Sequence, residues 1–158
     1  FFNKLNNKIT IIWARVFYVY GKKQREGSLL NRLFQAKKKR KFLFLKFPYI
    51  YNDYIYVKDV VDVLISMMDF KSESGIYNLG SGRARTFNDL VNFTFDAMNQ
   101  KRKILYFDTP VDIRDKYQYF TQAEMSKLYD IGYQKPFTSL EEGVRDYVKN
   151  YLLKECYF

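Results

Sequence analysis

The sequence predicts an α/β fold in which at least part of the sheet is parallel. Three observations carry that reading. Short β-branched and aromatic runs alternate with stretches whose apolar residues recur at helical spacing. Glycines and cap-type residues fall between the two kinds of segment. The 158 residues are enough for one domain with a core.

Taken in order, KITIIWARVFYVYG (Lys8 to Gly21) reads as one buried strand followed by a loop. Ser28 is placed to cap a short helix through Ala36, with Leu29, Leu30, Leu33 and Phe34 on one side. A basic run follows, then FLFLKF as a strand stopped by Pro48. DYIYVKDVVDVLISMMDF reads as a strand running into a helix with Asp59 as its cap. On that helix Val60, Leu64, Met67 and Met68 fall on one face, and Asp62, Ser66 and Asp69 on another. GIYNLGSGRARTF, from Gly75 to Phe87, is strand, glycine turn and helix start. Thr86 is the expected N-cap, with Asp89 three residues on. Phe87, Leu90, Val91, Phe95 and Met98 give the stripe of that helix, and KILYF is a further strand. Thr121 with Glu124 and Ser139 with Glu142 have the spacing of capping boxes. The last helix carries Leu140, Val144, Tyr147, Val148, Tyr151 and Leu152 on one side.

Composition excludes several chemistries. With no histidine and one cysteine, Cys156, the chain has no Ser-His-Asp or Cys-His nucleophile system, no histidine zinc site and no internal disulfide. The longest apolar runs are interrupted by Arg or Lys and are too short to span a bilayer. Phe1 stands where a start methionine would be, and no stretch has the order of a signal peptide. A start inside a longer protein and a cytoplasmic location are therefore the expectations. The net charge of +10 is concentrated in GKKQR (Gly21 to Arg25) and KKKRK (Lys37 to Lys41). A solvated lysine-rich surface is the ordinary reading, a nucleotide diphosphate partner comes next, and nucleic acid third, since no RNP-type aromatic pattern occurs.

No catalytic centre follows from residue chemistry alone. GSGRAR has only the first two glycines of a dinucleotide fingerprint, and a Gly-Lys-Ser/Thr loop is absent, so the turn reads as a corner. Tyr18 with Lys22 and Tyr54 with Lys58 match Tyr-x-x-x-Lys. Both sit in strand contexts, where four-residue spacing shares no helical face, and both are rejected as catalytic.

Several segments together are familiar. RVFYVYG (Arg15 to Gly21) resembles the R-x-F-N-V-Y-G loop of the extended short-chain dehydrogenase/reductase family, the sugar-nucleotide epimerases and dehydratases. NDYIYVKDVVDVL resembles that family's R-D-F-I-Y-V-x-D-V segment, and GIYNLGSGRARTF its G-x-(Y/F)-N-x-G-(T/S)-G segment. From Asp115 to Val148 the chain is similar to the end of the family's heptose 6-epimerase branch, through YQYFTQA and GYQKPF.

The resemblance implies the late strands of a Rossmann-type parallel sheet plus the smaller substrate-binding domain. Residues 1–158 would be the C-terminal part of an NAD(P)-dependent sugar-nucleotide epimerase. The glycine motif and the helical Tyr-x-x-x-Lys would belong to an N-terminal cofactor part missing from this chain. The implied cofactor is NADP or NAD and the implied ligand a nucleotide-diphosphate sugar. A membrane partner is not implied, and a homo-oligomer stays open. The reaction would be epimerisation at C6″ of an ADP-heptose by transient oxidation, a step in lipopolysaccharide core synthesis. This piece alone would be inactive and poorly soluble. Another UDP-, dTDP- or GDP-sugar epimerase or dehydratase, or a non-catalytic basic remnant that binds anions or nucleic acid, is the alternative.

No catalytic residue is assigned within the chain. The resemblance places Val19 at the nicotinamide end of the cofactor, with Tyr18 standing where the family has Asn. It places Ser28 and Tyr117 against the substrate. Asn52 stands where the family has an Arg that contacts phosphate, Glu26 where the heptose enzymes carry Lys, and Gln35 where they carry a nearby His. Arg25 or Lys22 could then supply the diphosphate contact. Each has a plainer reading: Tyr117 as packing, Ser28 as a helix cap, Val19 as core.

Overall fold

The structure is a computed structural model that describes residues 9–25, 27–38, 43–46, 49–69, 73–102, 104–107 and 111–154. Its strands form three small sheets. β1 (Ile12–Val16) runs parallel to β5 (Gly75–Leu79), with Ile12 opposite Gly75 and Val16 opposite Leu79. β2 (Tyr18–Tyr20) runs parallel to β4 (Tyr51–Tyr56), and β6 (Ala84–Thr86) lies antiparallel on the other side of β4. β3 (Leu43–Lys46) and β7 (Ile104–Phe107) form a third, parallel pair. The α/β reading with parallel pairing is borne out.

The single strand expected from Lys8 to Gly21 is two strands. The break falls at Phe17, whose N–H donates to the Leu79 carbonyl at 3.0 Å. β1 stays with β5, and the chain then crosses to pair with β4. Nor is the strand buried throughout: Trp13 is 58% exposed, on the face turned away from Ile12 and Ala14. The expected stop at Pro48 and the side chains of the 37–41 basic run lie outside the described residues.

The three-stranded sheet is covered on both faces. Tyr20, Tyr54 and Tyr56 point to one side, into a core built with α1 (Leu29–Lys38), α3 (Phe87–Ala97), α6 (Leu140–Tyr147) and the π-helical turn that follows it (Val148–Leu152). Ile55 points to the other, into a core with α2 (Val57–Asp69), β5 and, after the four-residue α4 (Val111–Arg114), α5 (Ser126–Asp130). The period of two along a strand dictates this division.

Helix caps were largely legible. Ser28 Oγ accepts from the Asn31 N–H at 3.3 Å at the start of α1. Thr86 with Asp89 and Ser139 with Glu142 form reciprocal capping boxes on α3 and α6. The Thr121–Glu124 box does not form. Residues there are held extended, with Thr121 N–H on the Tyr51 carbonyl and Ala123 N–H on Asp53, while the Glu124 carboxylate turns forward to Ser126. The reading of α2 also needs correcting. Asp59 lies inside the helix rather than capping it, and its buried stripe is Asp59, Val63 and Met67. Leu64 and Met68, the latter 83% exposed, face outward with Val61 and Ile65. Among the described residues no helix is long and apolar enough to cross a membrane.

Candidate functional site

The glycine turn after β5 is the place to test for a phosphate cradle. Its amides are already occupied. Asp53, fully buried on β4, accepts from Ser81 N–H at 2.6 Å, Ser81 Oγ at 2.7 Å, Gly82 N–H at 3.0 Å and Ala123 N–H at 3.0 Å. The turn therefore cradles an internal carboxylate in the geometry that would otherwise suit an anion. Gly80 is required by close approach: a Cβ there would stand 2.5 Å from Ala123 Cβ and 2.6 Å from an Asp53 oxygen. Gly82 has φ +72°, the left-handed region. The corner reading holds, and its physical reason is Asp53.

The neighbouring residues on β4 face the other way. Tyr18 and Tyr54 are register partners on β2 and β4 and share a face with Asn52; Val19 and Ile55 share the opposite one. Tyr18 packs edge-on to Tyr54 with ring centroids 5.0 Å apart, and Phe87 closes the trio at 6.5 and 6.4 Å. The segment around Tyr117 docks beside this face, because Tyr51 N–H donates to the Tyr119 carbonyl at 2.8 Å and Tyr51 O accepts from Thr121 N–H. Tyr117 itself packs at a tilt against Tyr119, with ring centroids 5.9 Å apart. Burial raises the Tyr18 hydroxyl above the usual tyrosine range, the Arg25 guanidinium opposes that rise, and Tyr117 adds to it. Burial also raises Tyr54, with Tyr18 and Tyr117 adding to the rise and the Asn52 side chain opposing it.

The structure thus brings Tyr18, Arg25, Asn52 and Tyr117 into one electrostatic neighbourhood and leaves Val19 out of it. Val19 packs against the α2 core, and its carbonyl is taken by Gln24 Nε2 at 3.2 Å. Ser28 belongs to the same turn as Arg25, its N–H on the Arg25 carbonyl at 3.0 Å, but it is 5% exposed and its hydroxyl serves as the helix cap. Glu26 lies outside the described residues. The residue that sequence reasoning passed over is Tyr54. It is 3% exposed, and no group meets hydrogen-bond geometry with its hydroxyl. Its match to Tyr-x-x-x-Lys drew attention to it for a different reason. The pair shares no helical face, but not because both residues are in strands: Tyr54 lies on β4 and Lys58 on α2, where Lys58 pairs with Asp146 at 2.7 Å.

Dinucleotide-holding geometry is limited here. The Ser81 and Gly82 amides are engaged by Asp53 and are not available to a pyrophosphate. No group of three or more Cys, Asp or Glu among them could hold a metal ion.

Comparison with known proteins follows the same lines. A family model described as the NAD dependent epimerase/dehydratase family matches residues 2–80. The ADP-L-glycero-D-manno-heptose-6-epimerase of Fusobacterium nucleatum is 40% identical over 148 residues, covering 90% of this chain and 43% of that protein. A protein of the same name from Nitratidesulfovibrio vulgaris (strain DP4) is 48% identical over 101 residues, 64% of this chain and 31% of that protein. The chain thus spans less than half the length of these curated relatives. In fold it is similar to the UDP-N-acetylglucosamine 4-epimerase from Methanobrevibacter ruminantium, solved with UDP-N-acetylmuramic acid. The TM-score is 0.78 at 20% identity, over 92% of this chain and 47% of that one.

Proposed function

The chain belongs to the NAD-dependent epimerase/dehydratase family, and we propose that it forms the substrate-binding C-terminal part of a nucleotide-sugar epimerase most like the ADP-glyceromanno-heptose 6-epimerases. The observation that carries this reading is the convergence of Tyr18, Asn52, Tyr117 and Arg25 beside one face of β4. Arg25 would supply a cation to the nucleotide diphosphate, and Asn52 and Tyr117 hydrogen bonds that fix the sugar's orientation. Ser28 would contribute only by holding the Arg25 turn against α1. NADP or NAD, held by the rest of the parent protein, would supply the hydride chemistry for inversion at C6″ of ADP-D-glycero-D-manno-heptose. The parent would work in the cytoplasm, in lipopolysaccharide core synthesis.

The exposure of the β1–β5 pair supports a longer parent. Parallel strands are ordinarily buried on both faces. Among the described residues, Ile76 on β5 is half exposed on the outer face of the β1–β5 pair. Asn52, at the family's Arg position, favours a second reading in which the sugar nucleotide differs from the heptose.

Titration separates these readings. ADP-heptose and UDP-glucose are titrated into the chain by calorimetry, with and without a single-stranded RNA competitor. The proposal expects weak saturable binding of the ADP-sugar, no turnover, and at least a tenfold loss in R25Q. Preference for UDP-glucose selects the second reading. Salt-sensitive RNA binding that displaces the sugar nucleotide, or an unchanged R25Q, overturns the proposal.

A further inference from the structure

A cavity of about 250 Å³ opens between β6 and the loop that leads into α6. Arg83, Arg85, Lys135, Gln134 and Tyr54 are among the residues lining it. Its charges are unbalanced. The Arg85 guanidinium is held by Asp89 at 3.3 Å and Glu141 at 3.1 Å. Glu142, the other acid of the α6 first turn, closes on Ser139 as its cap. Among the described residues neither Arg83 nor Lys135 has an acidic partner within ion-pair distance. Two cations therefore face a concave space whose nearest carboxylates are already engaged.

Tyr54 supplies the third element. A buried hydroxyl without a partner is uncommon in a folded protein and carries a desolvation penalty of about 1–3 kcal/mol. Tyr54 lines this cavity, and its hydroxyl, beside the Asn52 side chain, meets no group at hydrogen-bond geometry. A ligand oxygen would satisfy it. Size restricts the ligand: the volume lies below the roughly 300–1,000 Å³ of sites for drug-sized molecules. Two cations and a hydroxyl donor match a compact dianion with several acceptor oxygens, and Arg83 can grip two of them at once.

We propose that this cavity binds the phosphate group of a small phosphate monoester, at a site separate from the Arg25 turn. The test uses the full chain at low ionic strength. Inorganic phosphate and glucose 1-phosphate are titrated by calorimetry into the wild type, the R83Q/K135Q double variant, Y54F, R25Q and the surface control K149Q. Circular dichroism checks that each variant is folded. Saturable binding of one phosphate per chain is expected, weakened at least tenfold in R83Q/K135Q, severalfold in Y54F, and unchanged in K149Q. Tighter binding of glucose 1-phosphate than of inorganic phosphate identifies the ester as the ligand, and the reverse order overturns that assignment. No saturation, or equal binding by the double variant, overturns the site. Loss of binding in R25Q with retention in R83Q/K135Q overturns it as well, by moving the phosphate to the nucleotide-sugar face.

Discussion

Asp53 and Tyr54 are adjacent on β4 and have opposite fates. Asp53 is buried with four donors on its carboxylate, so every demand of a buried charge is met from within the chain. Tyr54 is buried with a hydroxyl that nothing in the described residues satisfies. One face of the strand is finished as structure; the other buries a hydroxyl that meets no group at hydrogen-bond geometry, near Tyr18 and Asn52. The contrast separates a residue kept for the fold from one available to a ligand, although a strand turns between them by a single residue.

The largest effect should come from breaking the finished side. Asp53→Ala would leave the Ser81, Gly82 and Ala123 amides without their acceptor, deep between two cores. Each buried donor left unsatisfied costs about 1–3 kcal/mol. That is a large share of the 5–15 kcal/mol stability of an ordinary domain. Urea denaturation should show the loss as a lower midpoint or no cooperative transition. A loss below about 1 kcal/mol would mean that water replaces the carboxylate and that the turn is less closed than its geometry implies. Gly80→Ala attacks the same junction by volume. Its Cβ would overlap Ala123 and Asp53, and overpacking of this kind costs about 1–3 kcal/mol. A stability equal to the wild type would show that β4 can retreat from the turn.

On the Tyr54 side the sign reverses. Tyr54→Phe removes an unsatisfied hydroxyl while keeping the ring that packs on Tyr18 and Phe87. The fold should be unchanged or more stable by up to about 1 kcal/mol. A loss of 1 kcal/mol or more in the same urea experiment would place Tyr54 with Asp53, as a residue the fold depends on.

How much of this was legible in the sequence follows the same division. Caps at Ser28, Thr86 and Ser139 were readable because a cap acts within four residues of itself. The GSG corner was readable as a corner, but its occupant was not, since Asp53 lies 28 residues before Ser81. The split at Phe17 was hidden because a change of sheet leaves the run of β-formers unbroken. On α2 the apolar residues occur on two sides, so the periodicity did not reveal that Val63, rather than Leu64 or Met68, meets the core. Tyr18, Asn52 and Tyr117 came from the family resemblance. Their spacing carries no signal, because β pairing and the docked 117–121 segment bring them together only in the fold. Arg83 and Lys135 gave none either, in a chain where Lys and Arg are abundant.

The smallest effect concerns the far end of the same face, where Tyr56 donates to Asp146 at 2.5 Å and Lys58 pairs with it at 2.7 Å. Burial pushes the Asp146 carboxyl up, but hydrogen bonds from Lys58, Tyr56 and Asn150 outweigh it and hold the group at about 2. An unfolded carboxyl titrates near pH 3.9. The folded value is the lower one, so the stabilisation is fully present above about pH 3.9 and is lost as pH falls through 2. The side chains of Lys58 and Asp146 are 55% and 29% exposed, which limits the ion pair to about 0.5 kcal/mol. The unfolding free energies of wild type and D146N should therefore differ by a constant amount from pH 7 to 5 and converge between pH 4 and 2. A gap that persists at pH 2 would assign the cluster's contribution to Tyr56 packing rather than to charge.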